Sequence, residues 1–235
     1  MFYIAYFTCA RHFAYLRLSL QSWHHIGDYS YINSITVHVD YSDPLDEAQI
    51  SILQNISLVS ITFLLTAERM AHVGLHVVNN EITGFVDLSR HAKPTDWIIK
   101  IDSDVLVTSA LVGFDYVLQK SHGAMIGYPC SSYIQGGVYF LRARDIYRLL
   151  SVPLDQNRYV RRSVNKCSED ASITEQMRMG GGLIERLSSL VWNRPMIGDL
   201  QITPCRCSFL HFSGHAKSRM KQAFDIVSSH VSKAT

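Results

Sequence analysis

The spacing of apolar residues switches repeatedly between a strand rhythm and a helix rhythm. Phe2 to Thr8 is almost wholly apolar and predicts a first strand. Phe13, Leu16, Leu20 and Trp23 then recur at three- and four-residue intervals, a helix that closes near Gly27. Ser34 to Asp40 alternates as a second strand. Asp43-Pro44 opens a helix carrying Leu45, Ala48 and Ile52. Leu58 to Leu65 is a third strand. Residues 67 to 90 are largely helical, with an interruption at Gly74 or near Asn79-Asn80. Trp97 to Val107 reads as one buried strand, bounded by Pro94 before it and a helix start at Ser109. Leu111, Phe114 and Leu118 mark that helix, and Gly123 to Tyr128 is a short strand.

The rhythm is less regular afterwards. Gln135 to Leu141 is a strand entered through Gly136 and Gly137, followed by a helix from Asp145 to Leu150. Residues 153 to 167 show little periodicity and read as a loop. Ser168 reads as the N-cap of a helix to about Met179, stopped by three glycines from Gly180. Short strands up to Leu210 and a C-terminal helix bearing Met220, Ala223, Phe224 and Val227 complete the pattern. The β-α-β-α order predicts an α/β fold, a Rossmann-like, mostly parallel twisted sheet with helices on both faces.

Composition narrows the function classes. The 235 residues are 47% hydrophobic, enough to bury one sizeable core, so a single domain over 1–235 is expected. A net charge of +2 carries no nucleic-acid footprint. No apolar run reaches membrane-spanning length, which leaves only peripheral membrane contact open. Phe2 to Phe7 lacks a basic flank and reads as a strand, not a signal peptide. The five cysteines are odd in number and scattered, which suits free thiols in a reducing, cytoplasmic setting. Cys205-x-Cys207 near His211 lacks the second cysteine pair of a usual structural zinc site.

The candidate chemistry starts at Asp102-Ser103-Asp104. Buried carboxylates are costly without a cationic partner. Residues two apart on a strand share a face, so both carboxylates can converge on one cation. Hard oxygen donors favour Mg2+ or Mn2+ over zinc. The alternative is that one Asp caps the next turn and the other pairs with Lys100. His211-Phe-Ser-Gly-His-Ala-Lys217 is a second informative stretch. Gly214 lets a backbone N–H approach an anion, Lys217 adds a point charge, and His211 or His215 can complete a metal shell. Gly136-Gly137 either lets a sugar lie against bare backbone or forms a bulge. Glu169-Asp170 either supplies a general base or complements a helix N-terminus. Arg158, Arg161 and Arg162 either meet an anionic acceptor or form a solvated face. Thr8, Arg11 and Asp40 lie at the ends of the first two strands, where a nucleotide can bind or where turns need such residues.

In this order the parts resemble the GT-A fold glycosyltransferases. Tyr6 to Arg11 with the helix through Trp23 is similar to that family's opening nucleotide-binding unit. Asp102-Ser-Asp104 matches its D-x-D motif, Gly136 to Phe140 its sugar-pocket strand, and Glu169-Asp170 the acidic pair opening its acceptor-side helix. His211-x-x-Gly214-x-x-Lys217 matches the turn of the glycogenin and lipopolysaccharide galactosyltransferase branch, without the Pro-Trp that often follows. That branch retains configuration, whereas the acidic pair is where inverting members keep their base.

The resemblance implies a nucleotide-binding half over 1–108 and a smaller acceptor-binding half over 109–235. It implies transfer of a sugar from a nucleotide diphosphate donor, UDP-linked, to an acceptor hydroxyl on a glycan or other molecule, with inversion favoured. Asp102, Asp104 and His211 would hold Mn2+ or Mg2+. Thr8, Arg11, Asp40, Lys100, Asp102, Ser103, Gly136, Gly137, Gly214 and Lys217 would bind the donor. Asp170, or in second place Glu169, would take the acceptor proton. Two other readings compete: a haloacid dehalogenase-type phosphatase with Asp102 as nucleophile, and a non-catalytic nucleotide-sugar binding module.

Overall fold

The computed structural model describes residues 1–27, 29–70, 74–110, 112–164, 167–202 and 206–231. In chain order the elements are β1 (Phe2–Thr8), α1 (Phe13–Ser22), β2 (Ile32–Val39), α2 (Glu47–Ile56), β3 (Ile61–Leu65), α3 (Leu75–Ser89), β4 (Trp97–Asp102), β5 (Val105–Val107) and α4 (Val112–Gln119). They continue with β6 (Met125–Cys130), β7 (Tyr133–Arg142), α5 (Arg158–Arg162), α6 (Glu169–Met179), β8 (Ile184–Arg186), β9 (Val191–Asn193), α7 (Ile197–Ile202), β10 (Phe209–His211) and α8 (Met220–Val231). The main sheet has the order β3-β2-β1-β4-β7-β6-β8, and a small second sheet has the order β5-β10-β9. β7 alone runs against the other strands of the main sheet, pairing antiparallel with both β4 and β6. The expected mostly parallel α/β sheet is therefore present.

Alternation along β1 places the core on both faces of the sheet. Phe2, Ile4 and Tyr6 join a cluster with α1 and α4 on one side. Tyr3 and Ala5 join a cluster with α3 and α6 on the other. A third cluster lies between α1, the small sheet and α8. The strands fan out from β1 in two directions, β2 and β3 to one side and β4 to the other. This reversal makes the C-terminal ends of β1 and β4 the place where a crevice opens.

Several sequence expectations shift. Trp97 to Val107 is two strands: the chain turns at Ser103-Asp104, and β5 leaves the main sheet to pair antiparallel with β10. The second helix starts at Glu47, not at Asp43. Asp46 and Gln49 form a reciprocal capping box, while the Asp43 carboxylate accepts from the backbone and side chain of Arg11. α3 begins after Gly74, which sits at φ +117°, and runs through Asn79-Asn80 without a break. The Asn80 amide is buried and donates to the Glu68 carbonyl at 2.8 Å. The loop expected over 153–167 contains α5, whose cap is the buried Asn157 accepting from the Tyr159 N–H at 3.1 Å. Five residues with one buried side chain are too few to show a helical period. The segment after β7 is a 3-10 turn from Ala143 to Leu149.

Candidate active site

β1 and β4 end side by side, with Phe7 opposite Asp102 in the register. An open cleft of about 300 Å³ lies at this end, lined by Thr8, Arg11, Lys100, Asp102, Asp104 and Lys217 among others. The carboxylate–imidazole cluster is delivered by two separate stretches. Asp102 is the last residue of β4, and Asp104 follows in the turn. β10 then brings His211 opposite Val105, and the Phe212 N–H donates to the Asp104 carbonyl at 2.9 Å.

Asp102, Asp104 and His211 present ligand atoms that all lie within 4.8 Å of one another. His211 Nε2 is 3.5 Å from Asp104 Oδ1, and Lys217 Nζ is 3.0 Å from Asp104 Oδ2. The two carboxylates converge through the turn rather than through strand alternation. Burial pushes the Asp104 carboxyl up, but His211 and then Lys217 outweigh this and hold it at about 2. Asp102 is raised by burial, opposed by Lys100, with the charge of Asp104 adding to the rise. Two carboxylates crowded with opposite shifts form a site that a divalent cation would relieve. Two hard oxygens and an imidazole nitrogen form a donor set that fits Mn2+ or Mg2+. His215 is exposed and outside the cluster.

Behind the cluster the Lys100 ammonium is 1% exposed. Asp102 Oδ1 and the Gly136 carbonyl each accept from it at 2.5 Å, and Glu81 Oε1 lies 3.6 Å away. Burial lowers the affinity of Lys100 for its proton, but Asp102 and Glu81 more than reverse this. Burial raises the Glu81 carboxyl, against the pull of Lys100. Glu169, also on the cleft wall, is raised to about 8, first by burial, then against Lys100 by Glu81, Asp170 and Asp102. Asp170 is differently engaged. Its carboxylate accepts from the Gly136 N–H at 3.0 Å, from the Ala171 N–H at 2.8 Å and from the Ser168 hydroxyl.

At the level of sequence the chain matches no family model and no curated protein. Solved structures are similar in shape. The galactosyltransferase LgtC, in complex with donor and acceptor sugar analogues, superposes with a TM-score of 0.58 at 14% identity, over 96% of each chain. Mouse xyloside xylosyltransferase 1 does so with a TM-score of 0.58 at 10% identity, over 92% of this chain and 99% of that one. The glycosyltransferase GlyE of Streptococcus pneumoniae TIGR4 reaches 0.61 at 10% identity, over 100% of this chain and 65% of that one. The chain has the GT-A glycosyltransferase fold. A haloacid dehalogenase places its D-x-D on the first strand, whereas Asp102 here ends the fourth strand of a GT-A sheet.

Within this GT-A frame the remaining expected residues can be placed. Thr8 and Ser103 are buried on the cleft wall, and Thr8 Oγ1 has no hydrogen-bond partner. Arg11 lines the cleft while paired with Asp43 at 3.2 Å. Asp40 is fully buried and committed to its own loop, accepting from the N–H and hydroxyl of Ser42 and from the Met70 N–H. Gly136 and Gly137 are buried against side chains. A Cβ on Gly136 would come within 2.9 Å of Asp170 Cβ, and one on Gly137 within 2.7 Å of the His211 ring. Gly214 has φ +59° and opens the turn that carries Lys217. Arg158 pairs with Glu175 at 3.1 Å, and Arg161 and Arg162 are exposed. Cys9, Cys130 and Cys167 are free thiols, and Cys205 lies outside the described residues. No described helix is long and apolar enough to cross a membrane.

Sequence reading missed Glu81. Its signal was present: Glu81 stands four residues after Val77 and four before Phe85, on the buried stripe of α3. A charge at a core position calls for a buried partner, and Lys100 stands within the otherwise apolar run 97–101 of β4.

Proposed function

We propose that this chain is an enzyme that moves a sugar from a nucleoside diphosphate donor, UDP-linked, to an acceptor hydroxyl, with inversion of configuration and with Mn2+ or Mg2+. The observation that carries this reading is the cluster of Asp102, Asp104 and His211, with Lys217 beside it, at the C-terminal end of β1 and β4 in a GT-A sheet. A divalent cation held there would screen the diphosphate as it leaves. Lys217 adds a fixed positive charge to the same place. Thr8 and Ser103 offer hydroxyls on the nucleotide side, and residues 1–108 form the donor half. Residues 109–235 form the acceptor half. Asp40 and Gly136-Gly137 act by shaping the walls, since their polar groups or empty Cβ positions are taken by protein neighbours.

For the base, the geometry favours Glu169 over Asp170. Glu169 lines the cleft, while the Asp170 carboxylate is occupied by three donors. In the empty cleft burial raises the Glu169 carboxyl to about 8; a divalent cation bound at the neighbouring carboxylates would favour its ionised form, which is then a strong proton acceptor. NMR of the sugar product tests the assignment. Inverted configuration, with Glu169→Gln losing transfer while still binding UDP and Mn2+ by calorimetry, is the expected result. Retained configuration removes Glu169 from the base role. Tight UDP–Mn2+ binding without turnover of any nucleotide sugar leaves the binding module. In the same calorimetry, Asp104→Ala is expected to weaken Mn2+ binding by roughly two orders of magnitude.

A further inference from the structure

Lys100 interrupts the apolar run of Trp97, Ile98, Ile99 and Ile101 in β4, which ends in Asp102. An ammonium at such a place costs several kcal/mol unless oxygens replace its water. An ammonium has three N–H groups. Three protein oxygens surround this one: Asp102 Oδ1, Gly136 O and Glu81 Oε1. Asp102 and Gly136 accept hydrogen bonds from it, Glu81 is its ion-pair partner at 3.6 Å, and only 1% of the side chain is exposed toward a diphosphate or a sugar. Glu81 is itself held, because the Tyr139 hydroxyl donates to its Oε2 at 3.0 Å. Tyr139 is the register partner of Lys100 on β7.

Gly136 is held through both of its backbone polar groups. Lys100 binds its carbonyl, and its N–H donates to Asp170 Oδ2. Hydrogen bonds, linked by the Gly136 backbone, thus run from Asp102 through Lys100 to Asp170. They join the carboxylate–imidazole cluster to the start of α6, where Glu169 faces the cleft. Stability alone is a poor reason for this arrangement. An apolar side chain of similar volume usually serves a buried strand as well as an ion pair does, or better.

We propose that Lys100 is the positioning residue of the cleft, fixing Asp102 through one carboxylate oxygen and the Gly136 peptide through its carbonyl, and so setting the distance between the carboxylate–imidazole cluster and Glu169 before any donor binds. Its effect on turnover rests on the glycosyl-transfer reading; its effect on the backbone does not.

The test is Lys100→Met combined with Glu81→Gln, which removes both buried charges together. In metal-free protein, NMR hydrogen exchange at the Gly136 amide is expected to accelerate by about tenfold or more relative to the amides of α8. With donor and metal present, kcat is expected to fall by about tenfold or more while the donor KM stays within about threefold, because misplacement raises the barrier rather than weakening the grip. A lower Tm with unchanged kcat and unchanged relative exchange at Gly136 would mean a merely structural ion pair and overturn the proposal. A raised donor KM with unchanged exchange would make Lys100 a donor contact and also overturn it. If the wild-type protein transfers no sugar, the glycosyl-transfer reading falls, and the Gly136 exchange still decides the role of Lys100. Should the double variant fail to fold, Tyr139→Phe frees one oxygen of Glu81 and keeps both charges. A smaller acceleration at Gly136 supports the proposal, and none overturns it.

Discussion

At the scale of single residues, the site is tuned by what is missing as much as by what is present. Gly137 has no side chain because the His211 ring occupies that space: a Cβ would sit 2.7 Å from both Cε1 and Nδ1. Gly137→Ala should therefore push the imidazole away from Asp104 and weaken Mn2+ binding by roughly tenfold or more, within the range seen when the support of a ligand is removed. Titration calorimetry with Mn2+ checks this, and an unchanged affinity would show that the ring has room to move. The two carboxylates, His211 and Lys217 were readable in the sequence because each belongs to a short spacing with its own chemistry. The role of Gly137 was not, since its neighbour His211 comes from a distant stretch and only folding brings the two into contact.

At the scale of elements, boundaries follow local hydrogen bonds more closely than apolar periods. Asp43-Pro44 has the look of a helix start, yet the Asp43 side chain belongs to Arg11, and α2 waits for Asp46. Gln49 N–H donates to Asp46 Oδ1 at 2.7 Å, and the Asp46 N–H donates to Gln49 Oε1 at 3.1 Å. Asp46→Ala should cost about 1 kcal/mol, the usual loss for such a cap. In a chain of this size that lowers Tm by roughly 2–4 °C. A thermal melt reads the loss, and turnover should not change, because α2 lies away from the cleft lining. The strand ending in Asp102 was legible as an element but not as two. Nothing in the run of apolar residues says that β5 will leave one sheet for another; its partner β10 lies far along the chain. α5 escaped notice for a different reason, having a single buried side chain, Val160.

At the scale of the whole molecule, the alternating order of strands and helices sufficed for the sheet, because parallel strands need crossovers and crossovers need helices. The reversed strand β7 was not readable from that order. Crowding of charge at the cleft has a global cost that pH exposes. The ordinary value of a Glu carboxyl is 4.5, and Glu169 is raised to about 8. Between those two pH values the folded chain keeps a proton that the unfolded chain has lost. This contribution to stability is therefore absent as a penalty below 4.5, grows with rising pH, and is fully present as a penalty above about 8. In metal-free protein Glu169→Gln should remove that slope, raising Tm at pH 9 and leaving it nearly unchanged at pH 4. Parallel melts of both proteins across this range in chelator give the answer; a constant difference would mean that Glu169 titrates normally.

The pairing of β10 with β5 has a consequence for how the chain matures. Asp102 and Asp104 belong to the front of the chain, but His211, Lys217 and the Phe212 N–H that engage Asp104 all arrive after the last strand of the main sheet. Contacts between such distant stretches close large loops and tend to form late in folding. Intermediates with most of the main sheet in place would carry Asp102 paired with Lys100 but an Asp104 still without His211 and Lys217. The surroundings of Asp104 are thus completed only when β10 closes against β5.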